Sequence, residues 1–195
     1  MKSTLKWLLI AIFLLTVSGL SQENQVKVGI LPVTVGGTYK PLDAEQATSL
    51  LYQGLLANNP KAKIILLERQ DDVVMVNQAL AVAKKEQLDM IIWGRMRFRK
   101  DAYTDRSPSP YYRGRLDIQV ATEANLEAVW VPTEKVVLSQ PTLVVSSEKT
   151  LSWVDDDSRN LSVEQSIAAN SVREVANSLI HVLRKRHQTG WLQKP

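Results

Sequence analysis

The chain predicts an α/β fold, of the mixed α+β kind. Its mixed β-sheet opens as strand–helix–strand–helix–strand and continues as an antiparallel meander, with a long C-terminal helix packed on the sheet. Three observations lead there. Residues 26–99 alternate short runs rich in Val and Ile with stretches whose apolar residues recur at the helical period, the pattern of helices layered on a sheet. Residues 116–147 hold four strand-like runs split by short polar or Pro-containing turns, as antiparallel neighbours require. Residues 162–187 carry one long amphipathic pattern.

Val26–Val33 (VKVGILPV) reads as a buried strand that Pro32 ends. TVGGTYKP (34–41) is expected to be a loop, with Gly36-Gly37 as its turn. Asp43 is placed to cap a helix over 44–58, with Ala47, Leu50, Leu51 and Leu55 on one face and Asn58-Asn59-Pro60 as its stop. AKIILL (62–67) is the second strand. A second helix is expected from Asp71 or Asp72 to Glu86, with Val73, Val76, Leu80 and Ala83 facing the sheet. Leu88–Arg99 is a third, longer strand. The meander strands are expected at 116–121, 128–131, 135–138 and 143–147, followed by a loop over 155–160. Ser162 and Gln165 have the spacing of a capping box for the final helix. Val172, Val175, Ala176, Leu179, Val182 and Leu183 form its apolar face, and Arg184 to His187 suit its negative end. No internal repeat or long linker is present, so residues 22–195 read as one domain.

Residues 1–21 read as a secretory signal peptide. Lys2 and Lys6 precede the apolar run Trp7–Val17, and the small residues Ser18, Gly19 and Ser21 follow. Eleven apolar residues are few for a bilayer core, which takes roughly 20 as a helix. The expectation is export to the periplasm or the medium with cleavage near Ser21; a retained anchor is the alternative. The sequence has no Cys. That leaves no disulfide, thiolate metal site, cysteine nucleophile or lipidated cysteine, so no lipid anchor is expected.

The 195 residues carry a formal charge of +4. Without Lys2 and Lys6 the balance is 22 basic against 20 acidic residues. The stretch Arg95–Arg115 (RMRFRKDAYTDRSPSPYYRGR) holds seven basic and two acidic residues, so the remainder is slightly acidic. Basicity confined to one stretch argues against a nucleic-acid partner, whose footprint usually dominates a domain. Alternation along 90–99 sends Met90, Ile92, Gly94, Met96 and Phe98 to one face. Ile91, Trp93, Arg95, Arg97 and Arg99 fall on the other. This end of the strand is expected to project past its covering helices. Arg106, Arg113, Arg115, Tyr111 and Tyr112 would join it in a partner-binding surface, since Arg and Tyr favour interface centres. The competing reading is a strand edge blunted by charge against aggregation.

Other patterns carry less. His181 and His187 are six apart on the last helix, whereas a helical metal pair needs three or four. Asp155–Asp157 are consecutive and lack the spacing of a calcium loop. Gly36-Gly37 fits neither a dinucleotide fingerprint nor a phosphate loop. Asn160-Leu161-Ser162 matches a glycosylation acceptor, though Ser162 reads better as a cap. No catalytic residue, metal or other cofactor is indicated.

VKVGILPV is similar to the opening strand, of the form V-a-V-L-P-F, of a family of bacterial envelope domains. IILLERQDDVVMVNQAL (64–80) resembles that family's second strand, Glu-Arg pair and following helix. LDMIIWGRM (88–96) resembles its third strand, and the long last helix also fits. The family includes the N-terminal domain of the TolB translocation protein, LpoB-type activators of penicillin-binding proteins, the curli secretion channel CsgG and the middle domain of flagellar FlgT. The resemblance covers residues 26–100 and 163–187. It implies a periplasmic, non-catalytic adaptor that binds another envelope protein as activator or scaffold, with Glu68 and Arg69 as a structural pair. Two other readings stay open: a homo-oligomeric ring subunit of a flagellar or secretion apparatus, and a binder of an anionic glycan or lipid head group. The lipidated cysteine of LpoB-type and curli proteins is absent, and 113–153 shows no membrane hairpin pattern.

Overall fold

A computed structural model describes residues 25–59, 62–68, 75–105, 115–139, 142–151 and 157–186. The elements in order are β1 (Lys27–Ile30), β2 (Thr34–Gly36), α1 (Ala44–Asn58), β3 (Lys63–Leu66), α2 (Val76–Lys85), β4 (Met90–Asp105), β5 (Arg115–Trp130), β6 (Lys135–Leu138), β7 (Thr142–Leu151) and α3 (Asp157–Arg186). They build one seven-stranded mixed sheet with the path β3-β1-β4-β5-β6; β2 pairs with β4, and β7 with β5. The expected fold class is the observed one.

β4 and β5 pair antiparallel over 16 consecutive residues, from Met90↔Trp130 to Asp105↔Arg115. On β4's other side, β1 and then β2 run parallel to it end to end, at Met90–Ile92 and at Arg95–Arg97. On β5's other side, β6 and then β7 follow each other in the same way. Gly94, the fifth residue of β4, has φ 152°, and a Cβ there would lie 2.2 Å from Asn125 O and 2.9 Å from Leu126 Cα. Those contacts are backbone, so no rotamer change relieves them.

The two faces of the sheet are covered unequally. From β1 the chain crosses through α1 to β3, then returns through α2 past β1 to β4. Right-handed crossovers in opposite directions put their helices on opposite faces. α1 and α3 share one face, where Val28, Ile30, Met90, Ile92, Met96, Phe98, Ile118, Val120, Ala124 and Leu126 meet Leu51, Leu55, Val172, Leu179 and Leu183. Leu179 and Leu183 are 0% and 1% exposed, and burial of each contributes roughly 1.5–3 kcal/mol. The helices approach closely at Gly54, where a Cβ would lie 2.7 Å from Ala176 Cβ. α2 covers the other face only around Ile91, Trp93 and Val129, using Ala79, Val82 and Ala83.

Local signals account for most boundaries. Asp43 and Gln46 form a reciprocal capping box at α1. Buried Thr48 accepts from Val33 N at 3.0 Å and donates to Ala44 O at 2.6 Å, which pins the end of the β1 line to α1. Asp89 Oδ2 accepts from Lys27 N at 2.8 Å and starts β1 beside β4.

Several expectations are corrected. Thr34–Gly36 is a strand rather than loop, because pairing with Arg95–Arg97 overrides the weak strand preference of glycine. Met75 is extended (φ −120°, ψ 153°) and caps α2 through Gln78, so the helix does not start at Asp71 or Asp72. Those two, Val73 and Arg69 lie outside the described residues. The expected strands 116–121 and 128–131 are one: in TEANLE (122–127), Thr122, Ala124 and Leu126 face the core. β4 likewise continues to Asp105, held by β5. α3 begins at Asp157, so Ser162 lies inside the helix rather than at its start. An acidic first residue suits the positive helix end.

Gly94→Val should lower stability by about 3 kcal/mol or more, because branching at a positive-φ position is added to the backbone clash. A urea midpoint unchanged within error would contradict that.

A basic row on the uncovered half of the sheet

Past Trp93 the outer face of β4 loses its helix. Arg95, Arg97 and Arg99 follow at every second position, all exposed. Register places Asn125, Glu123 and Ala121 of β5 opposite them, then Thr142, Val144 and Ser146 of β7. On the other flank Thr34 and Gly36 of β2 stand opposite Arg95 and Arg97. The row therefore lies between small or neutral neighbours, with Glu123 as its nearest acidic residue across the ladder. Val144 is apolar yet 58% exposed on the same face.

Gly36 and Gly37 run beside the arginine stems. A Cβ on Gly36 would be 3.6 Å from Arg95 Cδ, and one on Gly37 3.4 Å from Arg97 Cγ. Gly37 also has φ +98°. The stems lie along bare backbone while the guanidinium heads reach water. Among the described residues, Arg95 and Arg97 enter no ion pair; Arg99 Nε is 3.6 Å from Asp101 Oδ2. That exposed pair is worth at most about 1 kcal/mol.

On the opposite face, Lys100 is neutralised within the fold. Glu164 of α3, whose side chain is 8% exposed, accepts from Lys100 Nζ and, at 2.9 Å, from Tyr39 Oη. The three residues tie the loop after β2 to β4 and α3. Burial, then the hydrogen bond and the charge of Glu164, push the Tyr39 hydroxyl well above its ordinary value of 10.0.

The expected site is thus divided. Arg95, Arg97 and Arg99 are brought together. Arg115 opens β5, six residues along it from Ala121 opposite Arg99, a distance of about 20 Å at strand rise. Arg106, Tyr111, Tyr112 and Arg113 lie outside the described residues. The strand does not clear both helical layers as expected: Met96 and Phe98 stay buried under the α1–α3 face, and only the α2 side is open. Gly36-Gly37, Glu123 and Val144 were not read as neighbours of the arginines. The glycine pair was the one available signal.

Among the described residues, no helix is long and apolar enough to cross a membrane. No protein-family profile matches the chain, and no curated protein sequence does. Solved structures show partial likeness. A neuraminyllactose-binding hemagglutinin homologue from Helicobacter pylori is 11% identical at TM-score 0.47, covering 84% of this chain and 83% of that one. The PelC dodecamer from Paraburkholderia phytofirmans is 14% identical at TM-score 0.40, covering 77% and 84%. The LpoB C-terminal domain from Salmonella enterica is 16% identical at TM-score 0.33, covering 69% and 91%. At these scores the likeness assigns neither family nor function.

A neutral Tyr39 favours the fold. The raised folded value means its contribution is complete below about pH 10 and is lost as pH rises further. Absorbance titration near 295 nm should show a tyrosine that resists ionisation well above pH 10 in the wild type and is missing in Tyr39→Phe. Identical late-titrating amplitudes in the two proteins would contradict the clasp.

Proposed function

We propose that this chain is an exported, non-catalytic domain of the bacterial cell envelope that docks another envelope protein through Arg95, Arg97 and Arg99. One observation carries the reading. Arg95 and Arg97 sit on an interior part of the sheet, with β2 on one side and β5 on the other. Charge that guards a strand edge has to stand at an edge; these two guard none. Nor do they serve an internal ion pair among the described residues. Uncompensated arginines on a half-covered sheet suit an acidic partner surface, with charge complementarity setting encounter rate and register. Export is supported by the signal-like residues 1–21, and the envelope role by the sequence resemblance described above.

An anionic glycan or lipid head group would use the same three charges, so the experiment separates the two. Residues 22–195, immobilised, are exposed to an envelope extract of the source cell beside the Arg97→Glu, Arg99→Glu variant. Retained proteins are identified by mass spectrometry, and matched circular dichroism spectra establish that the variant folds. The wild type is expected to hold a protein that the double variant retains at about tenfold lower yield or less, a loss of roughly 1.4 kcal/mol or more. Equal retention would sink the reading. Retention of cell-wall material, lost at moderate salt, would favour the glycan.

A further inference from the structure

Beyond the cover of α2, the outer face of β4 changes sign along its length. Among the described residues, α2 covers that face only around Ile91, Trp93 and Val129. Every second residue of a strand shares one face, and past Trp93 these are Arg95, Arg97, Arg99, Asp101, Tyr103 and Asp105. Three basic positions lead into an acidic end. Turned end for end, the same row runs acidic first and basic last, so it is its own complement about Lys100. Position 95 then meets 105, 97 meets 103, and 99 meets 101. Two of these matches join Arg with Asp, and the third sets a guanidinium over a tyrosine ring.

We propose that this face pairs with the same face of a second copy, β4 lying antiparallel over β4, in a two-fold dimer whose axis passes at the level of Lys100. Such a contact is isologous and closes at two copies, unlike the head-to-tail contact of a ring. Twisted sheets stacked face to face keep their strands aligned to within about 30°, which lets the matches along β4 form together. The pair of Arg99 Nε with Asp101 Oδ2 within one chain does not stand in the way. It is loose, at 3.6 Å, with side chains 63% and 36% exposed. In the dimer the two such pairs meet at the axis, where four charges of alternating sign make a network rather than an isolated surface pair. The same rotation lays β5 over β5, with Asn125 opposite Arg115 and Glu123 opposite Asp117. The last is a like-charged contact. Every match occurs twice about the axis, so four Arg–Asp pairs along β4 outweigh two like-charged contacts on β5. The inference goes beyond the docking reading: a second copy and an envelope partner would use the same arginines, so each excludes the other.

The test is sedimentation equilibrium on residues 22–195 and on two variants, Arg95→Asp and Asp105→Arg, with circular dichroism to establish that each folds. The wild type should form a dimer that weakens about tenfold or more between roughly 0.05 and 0.5 M salt. Each variant alone sets like charges against each other twice, and should stay monomeric where the wild type is dimeric. Mixed in equal amounts, the two should form a heterodimer. The new acid of one then faces the new base of the other, and the second pair is native. Both substitutions in one chain should likewise restore the wild-type dimer, which covers the case in which a single variant folds poorly. A wild type that stays monomeric up to about 1 mM overturns the proposal. So does a mixture no more dimeric than its parts, since the contact then lies elsewhere. Capture of an envelope protein is read separately. Capture without a dimer leaves the docking reading standing and ends this one; a dimer that obeys the mixing rule, without capture, does the reverse.

Discussion

The unbroken pairing of β4 with β5 is the constraint on which the rest depends. Each strand has 16 residues, roughly 50 Å of chain at strand rise. β1 and β2 lie along its one flank, β6 and β7 along the other. Because the side-chain period is two, a slip of one residue would turn Arg95, Arg97 and Arg99 into the core and Met96 and Phe98 into water. Core and basic row are thus specified by one register. Gly94 is the fifth residue of that register, where an added Cβ would run into the backbone of β5.

Helix length decides which part of each face is left open. α3 has 30 residues and α2 has 10, about 45 Å and 15 Å of helix. The longer one can follow the ribbon along most of its length. The shorter one, placed by the reverse crossover, ends its cover at Trp93. From there to Arg99 the same strand is buried on one side and solvated on the other. A row of arginines is tolerable only there, since burying unpaired charge costs several kcal/mol per ion.

Much of this was legible in the sequence. Met90–Phe98 and Ile91–Arg99 separate cleanly by alternation, and the structure keeps that division residue for residue. Asp43 announced α1 because capping is a local device, while the reciprocal bond from Gln46 came only with the structure. What could not be read locally was pairing. Thr34–Gly36 looks like a turn and becomes a strand only because β4 is there to receive it. TEANLE looks polar because Thr122 counts as polar, while its hydroxyl is paired in the core with Ser171. Ser162 and Gln165 have the spacing of a cap, yet that spacing also occurs inside a helix. Arg115 joined the expected site because it follows the others closely in the basic stretch, whereas a long ribbon carries its two ends far apart.

The two groups of cations on β4 have opposite accounts. Lys100 faces inward, and a nearly buried carboxylate answers it, so its charge is spent on holding the loop of Tyr39 against α3. Arg97 and Arg95 face outward three and five residues earlier, and Glu123 beside Arg97 does not close on it. Gly37 has a φ of +98° that favours glycine, and at Gly36 a Cβ would meet Arg95 Cδ at 3.6 Å, ordinary contact distance. The loop that carries those glycines is fixed by the Tyr39–Glu164–Lys100 clasp. The inner network therefore holds in place the flank beside which the outer row lies.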